Sequence, residues 1–312
     1  MWEIEVVPNA VADLHVHTSF SADGRVNVRE IFRGLKKSPL KTLAITDHHS
    51  VKACDENMDL AERYGIDLIP GVEISTENFK GCHVLGYGMD KMGVIKDYYN
   101  AAGEQTRKNF IELINTLEVE HDVYLDCNFI QTIIDLPTIS RKVFMKEIKR
   151  ACYDKGKPEI YWEIANGHDI RSINSPKPNV KQAVDLVKSA GGVPCLAHPW
   201  ILRDRETDER LNKDDFEYFL NDFKEMGMCG LECSAKTPQG VDYFSSMAEN
   251  FGLLRVGGSD FHGIDFKGRT QKRLGTAVLN KTDLERLDAS IKAMHSSPTK
   301  PALPCQPSVD KA

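Results

Sequence analysis

The 312-residue chain contains no apolar run approaching the roughly 18 residues that span a bilayer, and its start, MWEIEVVPNAVADLHVH, lacks the basic residues and apolar stretch of an export signal. No membrane role is expected, and the reading is a cytoplasmic protein. Paired-cysteine motifs are missing as well. The eight cysteines (Cys54, Cys82, Cys127, Cys152, Cys195, Cys229, Cys233 and Cys305) stand singly with no C-x-x-C, which disfavours both a disulfide framework and a structural zinc knuckle. Nor is there a long block of one charge sign, since 40 Lys and Arg face 46 Asp and Glu for a net −6. That balance argues against an electrostatic grip on long nucleic acid, while a small anionic substrate, which needs only local positive charge, remains open. No internal repeat is found, and nothing points to an obligate protein partner. What is present is a hydrophobic content of 41%, enough for a sizeable core.

Short apolar segments alternate with helical patterns: VADLHV, VREIFRGLKK, LKTLAIT, DENMDLAERYG, IDLIPGVEI. Such alternation predicts a parallel sheet flanked by helices. It returns with KQAVDLVKSAGG, VPCLAH, DDFEYFLNDFKEMG, CGLECS, VDYFSSMAENFG and LLRVGGSD. Between about residues 90 and 178 it stops, and helical patterns (YYNAAGEQTRKNFIELINTLEVE, SRKVFMKEIKRACYDKG) are followed by the polar loop NSPKPN. Residues 91–178 therefore read as a mostly helical insertion capping one face of an α/β core built from 10–90 and 179–295. Residues 296–312, rich in Pro, Ser and Lys, are expected to be disordered.

Candidate chemistry gathers where the strands end. On an extended strand residues i, i+2 and i+4 share a face, so Asp13, His15 and His17 of DLHVH point the same way. Two imidazoles there can grip one metal, with Asp13 behind them to fix a ring tautomer. A lone H-x-H pair is more commonly a surface or satisfied core pair. The spacing repeats, however, in GGSDFHG (Asp260, His262), and other strand ends carry His48 (AITDHH), Glu73 (IPGVEIS), His83 (GCHVLGYG) and His198 (CLAHPW). Acidic and imidazole groups collected at strand C-termini lie where α/β barrels place active sites.

In this order the motifs H-x-H, S-x-D-G, T-D-H, G-V-E, H-x-x-G-x-G, A-H-P and S-D-F-H, spanning residues 13 to 262, resemble the PHP (polymerase and histidinol phosphatase) family of metal-dependent phosphoesterases. Within it, the chain is similar to the stand-alone branch of nucleoside 3′,5′-bisphosphate phosphatases and oligonucleotide-trimming enzymes. The resemblance implies a distorted (β/α)7 TIM-like barrel, the insertion capping its C-terminal face, and two or three divalent transition-metal ions. By it a first metal takes His15, His17, Glu73 and Asp260, and a second takes Glu73, His83 and His198, with Glu73 bridging. A third takes Asp23, His48 and His262. Nitrogen and carboxylate ligands suit Mn²⁺, Fe²⁺ or Zn²⁺ better than Ca²⁺. The implied reaction is hydrolysis of phosphate monoesters of nucleotides or similar small metabolites by a metal-bridged hydroxide, with Glu73, His198 and His262 in the catalytic centre. A 5′→3′ exonuclease on short oligonucleotides, a histidinol phosphatase and a non-catalytic metal-binding module are the alternatives.

Substrate-binding expectations fall on Arg141, which matches a phosphate-clamping R-x-H segment, and on Lys177. The chain departs from the pattern where substrate would be touched. Val143 stands for the histidine after Arg141, a histidine expected after the GLE strand is replaced within AKTPQG, and His49 follows T-D-H where Asp is common. His49 and Glu232 are expected behind the ligands with Asp13. His121, His168 and His295 read as surface residues, Arg107 as part of a solvated helix face, and Cys82 as a small buried apolar residue.

Overall fold

The computed structural model describes residues 4–21, 23–134, 141–167, 177–263, 273–275 and 279–296. Residues 297–312 of the expected tail, His168 and the first half of NSPKPN lie outside them. Contacts divide the described residues into two compact units, one made of residues up to Ile95 with those from Lys177 on, the other of the residues between, from Lys96 on.

The first unit is built on one seven-stranded sheet whose spatial order follows the chain: β1 (Ala12–Val16), β2 (Thr42–Ile45), β3 (Asp67–Ser75), β4 (His83–Tyr87), β5 (Val193–Leu196), β6 (Gly230–Glu232) and β7 (Leu254–Val256). Neighbours are parallel from β1 to β3 and from β5 to β7, but β4 runs antiparallel to both β3 and β5. A strict sevenfold β/α alternation is thus not what forms. The link between β3 and β4, residues 76–82, is too short for a parallel crossover, which needs a dozen residues or so, and the chain must turn back. Beyond β7 the chain bonds to β1, with Leu14 N donating to Gly257 O (3.1 Å) and His17 N to Phe261 O (2.8 Å), so the outer strands are joined through the segment that carries Asp260.

Helices pack on this sheet for reasons visible locally. Asn27 caps α1 (Val28–Leu35) in a capping box with Glu30, and Asn179 does the same with Gln182 for α7 (Val180–Ser189). Gly65, at φ 66°, ends α2 (Lys52–Tyr64) in the left-handed region. The face Val28, Ile31, Phe32 and Leu35 of α1 is fully buried against Leu43 and Ile45 of β2, with about 1.5–3 kcal/mol per large side chain. Three further helices, α8 (Lys213–Glu225), α9 (Pro238–Asn250) and α10 (Lys281–Ser296), complete the unit. Among sheet residues Leu14, Leu85, Tyr87, Val193 and Cys195 share a core with Leu287 of α10, and the Tyr87 hydroxyl donates to Leu14 O at 2.9 Å.

The second unit takes most of α3 (Met92–His121) and all of α4 (Cys127–Ile134), α5 (Arg141–Asp154) and α6 (Pro158–Asn166). It has its own core, in which Phe110 and Phe144 meet at 4.5 Å between ring centroids beside Leu117 and Ile148. No described helix is long and apolar enough to cross a membrane.

Candidate metal centre

The reversal of β4 explains how its first residue enters the site. Because β4 is antiparallel, its start lies beside the C-terminal end of β3 (Ser75 opposite His83) and of β5 (Val84 opposite Leu196). His83 therefore joins His17, His48, His198, Glu232 and Asp260, which lie at or just past the C-terminal ends of their strands. Glu73, within β3, is the hub. Its Oε2 stands 3.1 Å from His15 Nε2, 3.0 Å from His17 Nε2 and 3.4 Å from His48 Nδ1, and its Oε1 is 2.6 Å from His83 Nδ1 and 2.8 Å from His198 Nε2. Asp260 Oδ1 completes the inner side at 3.5 Å from His15 and 3.4 Å from His17. Asp23 Oδ2 closes the outer side at 3.4 Å from His48 and 3.3 Å from His262.

Among the described residues, three overlapping groups have ligand atoms mutually within 4.8 Å: His15, His17, Glu73 and Asp260; His48, Glu73 and His83; and His17, Asp23, His48 and His262. The first has the membership expected from sequence. In the second His48 takes the place expected for His198, which reaches the same Glu73 oxygen as His83. The third gains His17. Asp260 (φ 52°) of the first group, and His198 (φ 25°) and His49 (φ 57°) beside the groups, hold a positive φ, a conformation that must be maintained by the surrounding packing.

Behind the ring lie the groups that hold it. Both carboxylate oxygens of Glu232 face His15 Nδ1, at 3.4 and 3.3 Å, and Glu232 also accepts from His198 N. This sets the His15 tautomer and leaves Nε2 toward Glu73, the carboxylate–imidazole pairing common behind metal ligands. Asp13 does not do this. Its carboxylate accepts from backbone amides, Ser259 N (2.8 Å), Gly275 N (2.7 Å) and His15 N (3.2 Å), so the part expected of it falls to Glu232 while Asp13 ties β1 to two distant segments. Asp47 was not anticipated. It accepts from Thr18 N (2.6 Å) and Thr18 Oγ (2.7 Å), holding the turn after β1 that presents Asp23. A carboxylate directly after the apolar strand TLAIT was the available signal. Gly258 lets β1 approach, since a Cβ there would strike the His15 backbone.

The electrostatics follow from burying so many charges together. Burial alone would raise the Glu73 carboxyl, but His48, His15 and His83 outweigh it and hold it well below the usual range. Burial pulls His15 down, yet Glu73 and Glu232 keep it well above an ordinary imidazole; His17 is likewise raised to about 9 against burial by Asp260 and Glu73. For Asp23 the burial effect is overcome by His262 and His48, and its carboxyl lies below its ordinary range. His83 goes the other way, to about 4, because burial outweighs Glu73. His49 is half-buried, donates its backbone N–H to Glu73 O at 2.9 Å, and is held well below the ordinary value by burial and by the charges of His48, His83 and Lys177. Lys177, just before α7, is itself lowered by desolvation and by the charge of Arg205. Arg141 opens α5 in the second unit, and its assignment to substrate rests on the resemblance alone.

The donor set fits divalent ions. His17 Nε2 stands 3.0 Å from a Glu73 oxygen without hydrogen-bond geometry, and His17 Nδ1 and His198 Nδ1 are buried with no hydrogen-bond partner among the described residues. His15, His83 and His198 do hydrogen-bond Glu73, but a ring nitrogen such as that of His17, so close to a carboxylate without bonding it, suits a shared cation. A cleft of 340 Å³ opens beside this centre, lined by His198, Asp260, Ser234, Lys236, Trp200 and Ile201 among others. Lys236 comes from AKTPQG, the segment lacking the expected histidine.

An α/β sheet with imidazoles and carboxylates clustered at one end is an arrangement that could hold metal ions of the kind used in hydrolysis. The comparisons make this specific. Residues 13–130 match the PHP domain. The chain is 27% identical to a 5′-3′ exoribonuclease of Haemophilus influenzae (80% of this chain, 89% of the relative). It is 24% identical to a phosphoribosyl 1,2-cyclic phosphate 1,2-diphosphodiesterase of Eggerthella lenta (81% and 94%) and 26% identical to a 3′,5′-nucleoside bisphosphate phosphatase of Chromobacterium violaceum (82% and 89%). The fold is shared with a solved structure from Bifidobacterium adolescentis at TM-score 0.64 and 23% identity, covering 91% of this chain and 97% of that one. The chain carries a PHP domain over residues 13–130 and is a metal-dependent phosphoesterase.

Proposed function

We propose that the chain hydrolyses phosphate monoesters of nucleotides or similar small phosphorylated metabolites, using His15, His17, Asp23, His48, Glu73, His83, His198, Asp260 and His262 to hold two or three ions among Mn²⁺, Fe²⁺ and Zn²⁺. The observation that carries this reading is Glu73, one buried carboxylate meeting five imidazoles within 3.4 Å beside a cleft of 340 Å³. Bound ions supply positive charge against the phosphoryl oxygens and acidify water near neutral pH. The chain's own residues do the holding. Glu73 keeps neighbouring cation sites together, and Glu232 aims His15. Lys177, whose charge reaches His49, offers a cation for substrate oxygens.

The size of the cleft and the net charge of −6 favour a small substrate over a polymer. Trimming of short oligonucleotides in the 5′→3′ direction is the second reading, favoured by the Haemophilus influenzae relative. The test is a panel of 3′,5′-bisphosphonucleosides, mononucleotides, short oligonucleotides and histidinol phosphate, assayed after chelation and reloading with each metal separately. Release of phosphate from small nucleotides with little action on oligonucleotides is the expected result. A preference for oligonucleotides replaces the first reading with the second, and inactivity on all four classes overturns both.

A further inference from the structure

The cleft beside the metal centre has chemically unlike parts. His198 and Asp260 belong to the ring of candidate ligands, whereas Lys236, Trp200 and Ile201 do not. Trp200 is half-buried and held from two sides, with ring centroids 6.1 Å from His198 and 6.3 Å from Phe244, so its indole is a fixed wall rather than a loose surface ring. Lys236 lies on the turn between β6 and α9. That turn is pinned by Ser234 Oγ, which accepts from Gly258 N at 3.0 Å, and by Thr237, which caps α9 by accepting from Gly240 N. The lysine is exposed, and no ion pair is found for it among the described residues. The acidic group lining the cleft, Asp260, faces His15, His17 and His262 within 3.5 Å. Only solvent meets the charge of Lys236, which leaves its ammonium available to an anionic group of a ligand in the cleft.

We propose that Lys236 and Trp200 select the substrate, Lys236 pairing with an anionic group other than the phosphoryl under attack and Trp200 stacking on a planar ring. This rests on the phosphoesterase reading above, in which the ions take the reacting phosphoryl. A second anion is then read by a cation outside the ion sites, and among the described residues Lys236 is the cationic side chain that lines this cleft. The volume of 340 Å³ lies near the lower end of small-molecule sites, which suits one nucleotide-sized ligand.

The test uses the full metal-loaded chain. The ratio of kcat/KM for adenosine 3′,5′-bisphosphate over adenosine 5′-monophosphate should fall roughly tenfold or more in Lys236→Ala and be largely kept in Lys236→Arg, with metal content unchanged. Trp200→Leu should lower the preference for adenosine 5′-monophosphate over ribose 5-phosphate by roughly tenfold. Calorimetric titration of the bisphosphate into chelated protein gives a readout independent of turnover, and both alanine and leucine variants should weaken it. Unchanged preferences and unchanged binding overturn the proposal. So does a change in metal content with preferences intact, which would make Lys236 a counter-charge for Asp260. If wild type turns over none of these compounds but its binding of the bisphosphate is still lost in both variants, the phosphoesterase reading of substrate fails and the cleft assignment stands.

Discussion

The inner and outer sides of the metal centre use the same residue types in opposite settings. On the inner side His15, His17 and Glu73 are at most 1% exposed and sit on or directly after strands, with Glu232 fully buried behind His15, while Asp260, 20% exposed, reaches in from the loop after β7. On the outer side His48 and His262 are 20% and 21% exposed, and Asp23, at 46%, sits on a turn secured by Ser21 Oγ and by the bonds of Thr18 to Asp47. The difference teaches that position along a strand fixes charge geometry more tightly than position on a turn. Charges removed from water also interact more strongly, so the inner side should govern chemistry and the outer side should tune it.

The largest effect should come from Glu73→Gln, which keeps shape but removes the charge facing five imidazoles. Metal content should drop and hydrolysis fall at least roughly a thousandfold with the circular dichroism spectrum unchanged. Full metal content with near-wild-type turnover would remove Glu73 from the centre of the mechanism. Next is Glu232→Gln, expected to weaken the inner ion by about 10–100-fold through loss of His15 orientation; equal affinity in a competitive chelator titration would show that packing alone orients the ring. Asp23→Asn should cost less, about tenfold in affinity for one ion while the others stay bound. If it strips every ion, the two sides are one cooperative unit and the contrast between them is lost.

A smaller effect is expected from pH on the chelated chain. His17 stands near 9 rather than 6.5, because Asp260 and Glu73 outweigh burial. A raised imidazole contributes stability that is complete below about pH 6.5 and is lost as pH rises through about 9, on the order of 3 kcal/mol at most. Melting curves of metal-free protein should therefore shift downward between about pH 6.5 and about pH 9, and the shift should shrink once ions replace the protons. A flat profile without metal would mean that His17 is neutral there already. Least affected should be His121→Ala, at the far end of α3 in the second unit, with turnover and metal content within error of wild type.

Much of the site was legible because strand geometry is periodic. The i, i+2 spacing of His15 and His17 puts both on one face, and both do reach Glu73 Oε2. Alternating apolar and amphipathic segments likewise announced an α/β sheet. What local pattern cannot carry is partnership across the chain. Asp13 and Glu232 are both carboxylates at strand positions, and nothing in their neighbours says that Asp13 will be claimed by the amides of Ser259 and Gly275 while Glu232 meets His15. Asp47, Lys236 and Trp200 acquire their surroundings in the same way.

The sequence by itself determined which side chains carry charge, where strands end, and that histidines and carboxylates recur there, since these depend on spacing along one chain. Only the tertiary structure decided that β4 reverses to bring His83 beside Glu73, that His48 and His17 are shared between neighbouring groups, and that Lys236 and Trp200 face the same cleft. The reason is physical. A hydrogen bond or ion pair requires atoms within a few ångströms, and for residues separated by 217 positions, as His15 and Glu232 are, or by 262, as Asp13 and Gly275 are, that proximity is set by how the sheet assembles and by nothing near either residue in the chain.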